Sequence, residues 1–118
     1  MQNFSVIITA GGTSSRYGKT NKLLEKINGK TVIEHTVSKF INFENVKQII
    51  IPSNISIINE LKQIFNQPKI SIVEGGASRQ ESVYKALNFV NENYVLIHDG
   101  ARPLITERVI NNCFDIVL

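Results

Sequence analysis

At 118 residues, with 13 Lys and Arg against 10 Asp and Glu, the chain is one domain's worth of protein with a formal charge of +3. A hydrophobic share of 42% and a charged share of 19% exclude a disordered chain. The single cysteine, Cys113, excludes an internal disulfide framework and a cysteine-based zinc site. No apolar run approaches the roughly 18 residues of a membrane helix, and the first residues have no basic stretch ahead of an apolar one, so neither a membrane nor a secretory route is expected. The cations are scattered, which suits an anionic small molecule and argues against nucleic acid.

Short β-branched runs alternate with helical periods. Phe4 to Ala10 is a near-continuous apolar run ending in Gly11-Gly12 and reads as a buried parallel strand. A polar loop from Gly11 to Lys22 follows. Thr31-Val32-Ile33-Glu34 is a capping box, and Val32, Ile33, Thr36, Val37, Phe40 and Ile41 form the stripe of the helix behind it. Val46 to Ile51 is a second strand, expected to stop at Pro52. Ser56 to Phe65 reads as a helix with Ile57, Ile58, Leu61, Ile64 and Phe65 inward, and Ile70 to Glu74 as a third strand. Ser78-Arg79-Gln80-Glu81 is a second expected capping box, before a stripe of Val83, Ala86, Leu87 and Val90. Tyr94 to His98 is a fourth strand ending at Asp99-Gly100. Thr106 caps a last helix whose apolar face is Val109, Ile110, Cys113 and Val117. Four strand–helix units with no linker or repeat predict one doubly wound α/β domain over 1–118, a parallel sheet with helices on both faces. The helical pattern is still running at Leu118, so a longer parent protein is expected.

In an open α/β sheet ligands bind beyond the carboxyl ends of the strands. Three expected loops there are unusual. The first, Gly11 to Lys22, joins glycines that let backbone N–H groups approach a phosphate with Arg16, Lys19 and Lys22, which supply charge. Gly12 to Thr20 nearly spells a P-loop but has five residues where that motif has four, leaving a P-loop phosphotransferase as an alternative. The second loop, Gly75 to Ser82, sets a glycine pair beside a helix N-terminus, with Arg79 and Ser82 on one helical face able to read the polar edge of a base. The third, His98 to Pro103, offers Asp99 as a ligand for Mg²⁺ and Arg102 for a second anionic group. His98, His35 and Cys113 read as structural.

Ala10-Gly11-Gly12 with Arg16 and Lys22, Gly75-Gly76 with Arg79 and Ser82, and His98-Asp99-Gly100-Ala101-Arg102-Pro103 together resemble the 2-C-methyl-D-erythritol 4-phosphate cytidylyltransferases of non-mevalonate isoprenoid precursor synthesis. Ribitol-5-phosphate cytidylyltransferases are similar in fold and CTP site. The resemblance implies a Rossmann-like doubly wound, mostly parallel sheet of the nucleotidyltransferase type, incomplete at the C-terminus. It implies a cytoplasmic enzyme that transfers a cytidylyl group from CTP to a sugar-alcohol phosphate and releases pyrophosphate, with Mg²⁺. Carried over residue by residue, Arg16 and Lys22 match the catalytic pair at the α-phosphate. Ala10, Gly11, Gly12, Gly75, Arg79 and Ser82 match the cytidine pocket, and Asp99, Ala101 and Arg102 match the ribose, metal and substrate side. Ser14 stands where the family commonly has glycine. Family chains are longer and pair as homodimers through an arm this chain lacks, so a nucleotide-binding fragment without turnover is the second expectation.

Overall fold

The computed structural model describes residues 3–10 and 22–117. Strand β1, Phe4–Thr9, is buried along its whole length, as a β-branched run flanked on both faces must be. A single 3-10 turn at Lys22–Leu24 leads into a small hairpin, β2 (Lys26–Ile27) and β3 (Lys30–Thr31). Asn28 and Gly29 turn it with φ of 54° and 85°, the two-residue geometry that Asn-Gly favours.

Helix α1, Val32–Ile41, starts at the expected capping box: Glu34 N–H donates to Thr31 Oγ1 at 3.2 Å and Thr31 N–H to Glu34 Oε1 at 2.8 Å. Ile33, Thr36, Val37 and Phe40 are its buried face. Strand β4 follows at Val46–Ser53, α2 at Ile58–Ile64, β5 at Ile70–Glu74, α3 at Arg79–Leu87, β6 at Tyr94–Asp99 and α4 at Glu107–Val117.

The four long strands form one parallel sheet in the order β5-β4-β1-β6. The chain moves outward from β1 to β4 and β5, then crosses back to lay β6 on the other side of β1. Strand order therefore reverses at β1 and β6, the point where open α/β sheets bind ligands. Alternate residues of β1 feed two layers. Phe4, Val6, Ile8 and Ala10 enter the larger core with α1, α2 and α4, while Ile7 joins Ile50 and Ala86 beneath α3.

Four expectations are corrected, the last of them in α4. Pro52 does not stop its strand: β4 continues to Ser53, pairs with β5 through Pro52 and Val73, and lies inside the sheet. The proline supplies no N–H, and the ladder with β1 gives way after Ile7 and Ile50. The Pro52 carbonyl nevertheless accepts Ala10 N–H at 2.9 Å, and an Ala10–Ser53 bridge closes the strand end. At α3 only half of the capping box forms. Ser78 Oγ accepts from Glu81 N–H at 3.1 Å, while the Glu81 carboxylate turns to Lys85 at 3.9 Å. The buried residues of that helix are Ser82 and Ala86, with Leu87 outside, because the Ser82 hydroxyl is held inward by the preceding loop.

In α4 the buried pair is Ile110 and Phe114; Val109 is exposed and Cys113 half-buried. Phe114 is drawn in by aromatic contacts to Phe4 at 4.5 Å and Phe43 at 5.5 Å between ring centres. The Thr106 cap forms as expected, accepting Val109 N–H at 3.3 Å.

Candidate functional site

The carboxyl edge of the sheet carries a series of contacts that links Gly75, Gly76, Ser82, Ala10 and Asp99 among the described residues. At one side lies the loop from β5 to α3. Gly75 N–H donates to Ser53 O at 2.8 Å, seating the loop on the end of β4. Ser82 Oγ accepts Gly76 N–H at 2.9 Å from within the first turns of α3. A β-carbon on Gly75 would lie 2.8 Å from Ser82 Oγ and 3.3 Å from the Ser53 backbone, so only glycine allows this approach. Ser82 is buried, with its hydroxyl proton left to donate, whereas Arg79 is exposed on the first turn.

Ser53 leads to Ala10 through the bridge just described. Ala10 is fully buried and its N–H is taken by Pro52, so it anchors the end of β1 and gives a ligand no side-chain surface. Gly11, Gly12 and Arg16, together with Lys19 and the near-P-loop spacing, lie outside the described residues.

On the other side of β1, Thr9 pairs with Asp99 of β6. Gly100 N–H donates to Thr9 O at 2.9 Å, and Gly100 O accepts Thr36 Oγ1 at 2.7 Å from α1. A β-carbon on Gly100 would stand 2.6 Å from Thr9 O, 3.3 Å from Leu23 Cδ2 and 3.4 Å from Ile33 Cδ1. The glycine is thus required by its position against the strand end. It also has the buried Leu23 against it, one residue from the exposed Lys22. Lys22 and Asp99 are thus the chain neighbours of two residues that pack together.

Asp99 is half-exposed. Its Oδ1 accepts Ala101 N–H at 2.9 Å and its carbonyl accepts Arg102 N–H at 3.1 Å, a compact turn around the carboxylate. His98 is structural, as expected: its ring lies 5.3 Å from that of Phe40 and its Nε2 is 3.1 Å from Arg102 O. His35 is structural as well, its Nε2 2.6 Å from Ile27 O, tying the hairpin to α1. Beside Asp99 a groove of about 500 Å³ is lined by His98, Ala101, Arg102, Leu104, Ile105 and Val109, among others.

The donor set bears on Mg²⁺. Among the described residues no group of three or more His, Cys, Asp or Glu could cage a metal. One half-exposed carboxylate fits a hard cation that keeps its waters and takes most of its oxygens from substrate phosphates. No described helix is long and apolar enough to cross a membrane.

Sequence reasoning missed three supports of this site. The hairpin was announced by Asn28-Gly29 between two short β-prone pairs. Leu23 and Thr36 act through contacts made by tertiary packing, and nothing local marks them.

The chain matches the family model IspD, 2-C-methyl-D-erythritol 4-phosphate cytidylyltransferase, over residues 4–117. It is 39% identical over 115 residues to the protein of that name from Bacillus mycoides, covering 92% of this chain and 51% of the relative. To the one from Wigglesworthia glossinidia brevipalpis it is 40% identical over 116 residues, covering 95% and 50%. The solved 2-C-methyl-D-erythritol 4-phosphate cytidylyltransferase of Francisella tularensis superposes with a TM-score of 0.79 at 33% identity, over 97% of this chain and 51% of that one. The 4-diphosphocytidyl-2C-methyl-D-erythritol synthase of Anaerococcus prevotii gives a TM-score of 0.83 at 25% identity, over 98% and 51%. The chain spans about half the length of the curated relatives it matches.

Proposed function

The chain belongs to the 2-C-methyl-D-erythritol 4-phosphate cytidylyltransferase family, and on that premise we propose that it serves cytidylyl transfer from CTP to 2-C-methyl-D-erythritol 4-phosphate in the cytoplasm. The observation that supports this reading is Leu23 packed beside Gly100 near the strand-order reversal, with a cation, Lys22, next to the one in the chain and a carboxylate, Asp99, next to the other. That is the arrangement phosphate chemistry needs.

A phosphate oxygen of the sugar alcohol attacks the α-phosphorus of CTP in line, a P–O bond forms, and the bond to the β-phosphate breaks to release pyrophosphate. No side-chain nucleophile is required; charge on the α-phosphate must be neutralised as it grows. Lys22 and Arg16 take that role. The Gly75–Ser82 loop holds the cytosine, with the Ser82 hydroxyl proton and Arg79 as donors to its polar edge. Asp99 would hold Mg²⁺, which when bound would offset the triphosphate's charge. The groove beside Asp99, with Arg102 on its wall, is the place for the phosphorylated alcohol.

Calorimetric titration with CTP and with ATP, each with Mg²⁺, tests the nucleotide half of this reading. CTP should bind more tightly. Equal affinity or tighter ATP would overturn it. Pyrophosphate release with CTP tests the other half, where ribitol 5-phosphate outrunning the methylerythritol phosphate would reassign the acceptor.

A further inference from the structure

We propose that Thr36, a fully buried residue of α1 outside all three strand-end loops, is the positioning residue that fixes the Asp99 carboxylate through the Gly100–Ala101 peptide. The proposal deepens the cytidylyl reading and rests on the role assigned there to Asp99.

The geometry runs through one rigid unit. Thr36 Oγ1 donates to Gly100 O at 2.7 Å. The carbonyl that receives it and the Ala101 N–H that holds Asp99 Oδ1 at 2.9 Å are the two ends of a single planar peptide. In a trans peptide they point in opposite directions, and no cis bond occurs among the described residues. The hydroxyl in the core therefore sets the tilt of the plane, and the N–H on its far side sets the carboxylate.

The other end of the Gly100 residue is held by Thr9, whose carbonyl takes its N–H at 2.9 Å. That bond anchors the turn to β1, and the 3.1 Å bond from Arg102 N–H to Asp99 O closes the turn around the next peptide, but neither touches the Gly100 carbonyl. Thr36 supplies what remains.

The hydroxyl has one proton to give. Val32 O lies at 3.2 Å and Gly100 O at 2.7 Å, so the proton belongs to the site loop. Thr36 is 0% exposed, so no water can take over the bond. A methyl group in place of the hydroxyl cannot approach a carbonyl oxygen to this distance, and Thr→Val is not a neutral exchange. The peptide would rotate and withdraw Ala101 N–H from Asp99.

The test compares Thr36→Val with Thr36→Ser, which keeps the hydroxyl, and with Val37→Ala, which opens a cavity in the same helix without touching the loop. Amide hydrogen exchange is read at Gly100 and Ala101, with Ile50 in the sheet reporting global opening. CTP affinity is read with and without Mg²⁺. In Thr36→Val the Ala101 amide should exchange about tenfold faster relative to Ile50, the worth of one buried neutral hydrogen bond. The gain in CTP affinity that Mg²⁺ brings should fall several-fold while the metal-free affinity holds. Thr36→Ser should stay within about twofold of the parent in both.

Unchanged Ala101 exchange in Thr36→Val overturns the proposal, as does Thr36→Ser behaving like Thr36→Val. Faster exchange with an unchanged Mg²⁺-dependent gain reduces Thr36 to a structural residue and overturns it equally. If the valine prevents folding, Thr36→Ala removes the bond without a clash and carries the same expectations. Failure of the unsubstituted protein to bind CTP counts against the cytidylyl reading, and the exchange data still decide whether Thr36 holds the peptide.

Discussion

Replacing Gly100 by alanine separates two reasons for a glycine at a site. Among the described glycines only Gly29 has a positive φ, so Gly100 is not there for its backbone angles. Taken alone, an added methyl at a compatible φ stabilises by roughly 0.4–1 kcal/mol through the unfolded chain. Here the new carbon would stand 2.6 Å from Thr9 O, an atom of a fully packed strand that cannot retreat. Relief requires moving Gly100 by roughly 0.6 Å, which stretches its 2.9 Å bond to Thr9 and its 2.7 Å bond from Thr36 toward or past the hydrogen-bond limit. Two buried neutral bonds at about 1 kcal/mol each and an overpacking cost of about 1–3 kcal/mol outweigh the entropic gain. The net loss is roughly 2–4 kcal/mol, or about 8–20 °C in melting temperature for a domain of this size. Thermal unfolding followed by circular dichroism measures it. Gly29→Ala is the companion: nothing lies within 4 Å, but φ of +85° makes it cost about 1–2 kcal/mol through strain alone. A Gly100→Ala protein melting within 2 °C of the parent would refute the close-approach argument.

Lys22→Ala in the full-length parent should lower kcat in pyrophosphate release by about a hundredfold and change the KM for CTP far less, because a cation aimed at growing charge acts on the transition state; an unchanged kcat would remove Lys22 from the chemistry. Phe114→Ala should cost about 3–5 kcal/mol in denaturant unfolding, since the ring is buried against Phe4 and Phe43. A loss under about 1 kcal/mol would mean that Phe114 does not hold α4 in place. Lys69 donates to Val46 O at 3.0 Å, and burial followed by the charge of Lys47 pulls its pKa below the ordinary 10.5. The unfolded chain then binds more protons than the folded one between the lowered value and 10.5, so the Lys69 contribution to stability rises with pH across that interval. Urea melts at successive pH values below 10.5 should show a component of the rise that Lys69→Gln removes, and identical slopes in the two proteins would exclude it.

Local signals carried the element order. The β-branched run of β1, the Thr31–Glu34 box, the Thr106 cap and the glycine pairs after strands are written in neighbouring residues, and neighbours fix them. Strand–helix alternation also implied parallel strands whose carboxyl ends share one edge, which is why the candidate site was sought after β1, β5 and β6. Long-range contacts decided the remainder. Pro52 reads as a stop, yet β4 runs through it because the ladder with β5 and the bond from Ala10 N–H to the Pro52 carbonyl outweigh one missing donor. Ser82 and Phe114 face inward because distant partners, Gly76 and Phe4, draw them there against the simple stripe. Thr36 was legible as an inward residue of α1 but not as a support of Asp99. Its partner is 64 positions away, and only closure of the sheet between β1 and β6 brings that carbonyl within reach of its single proton.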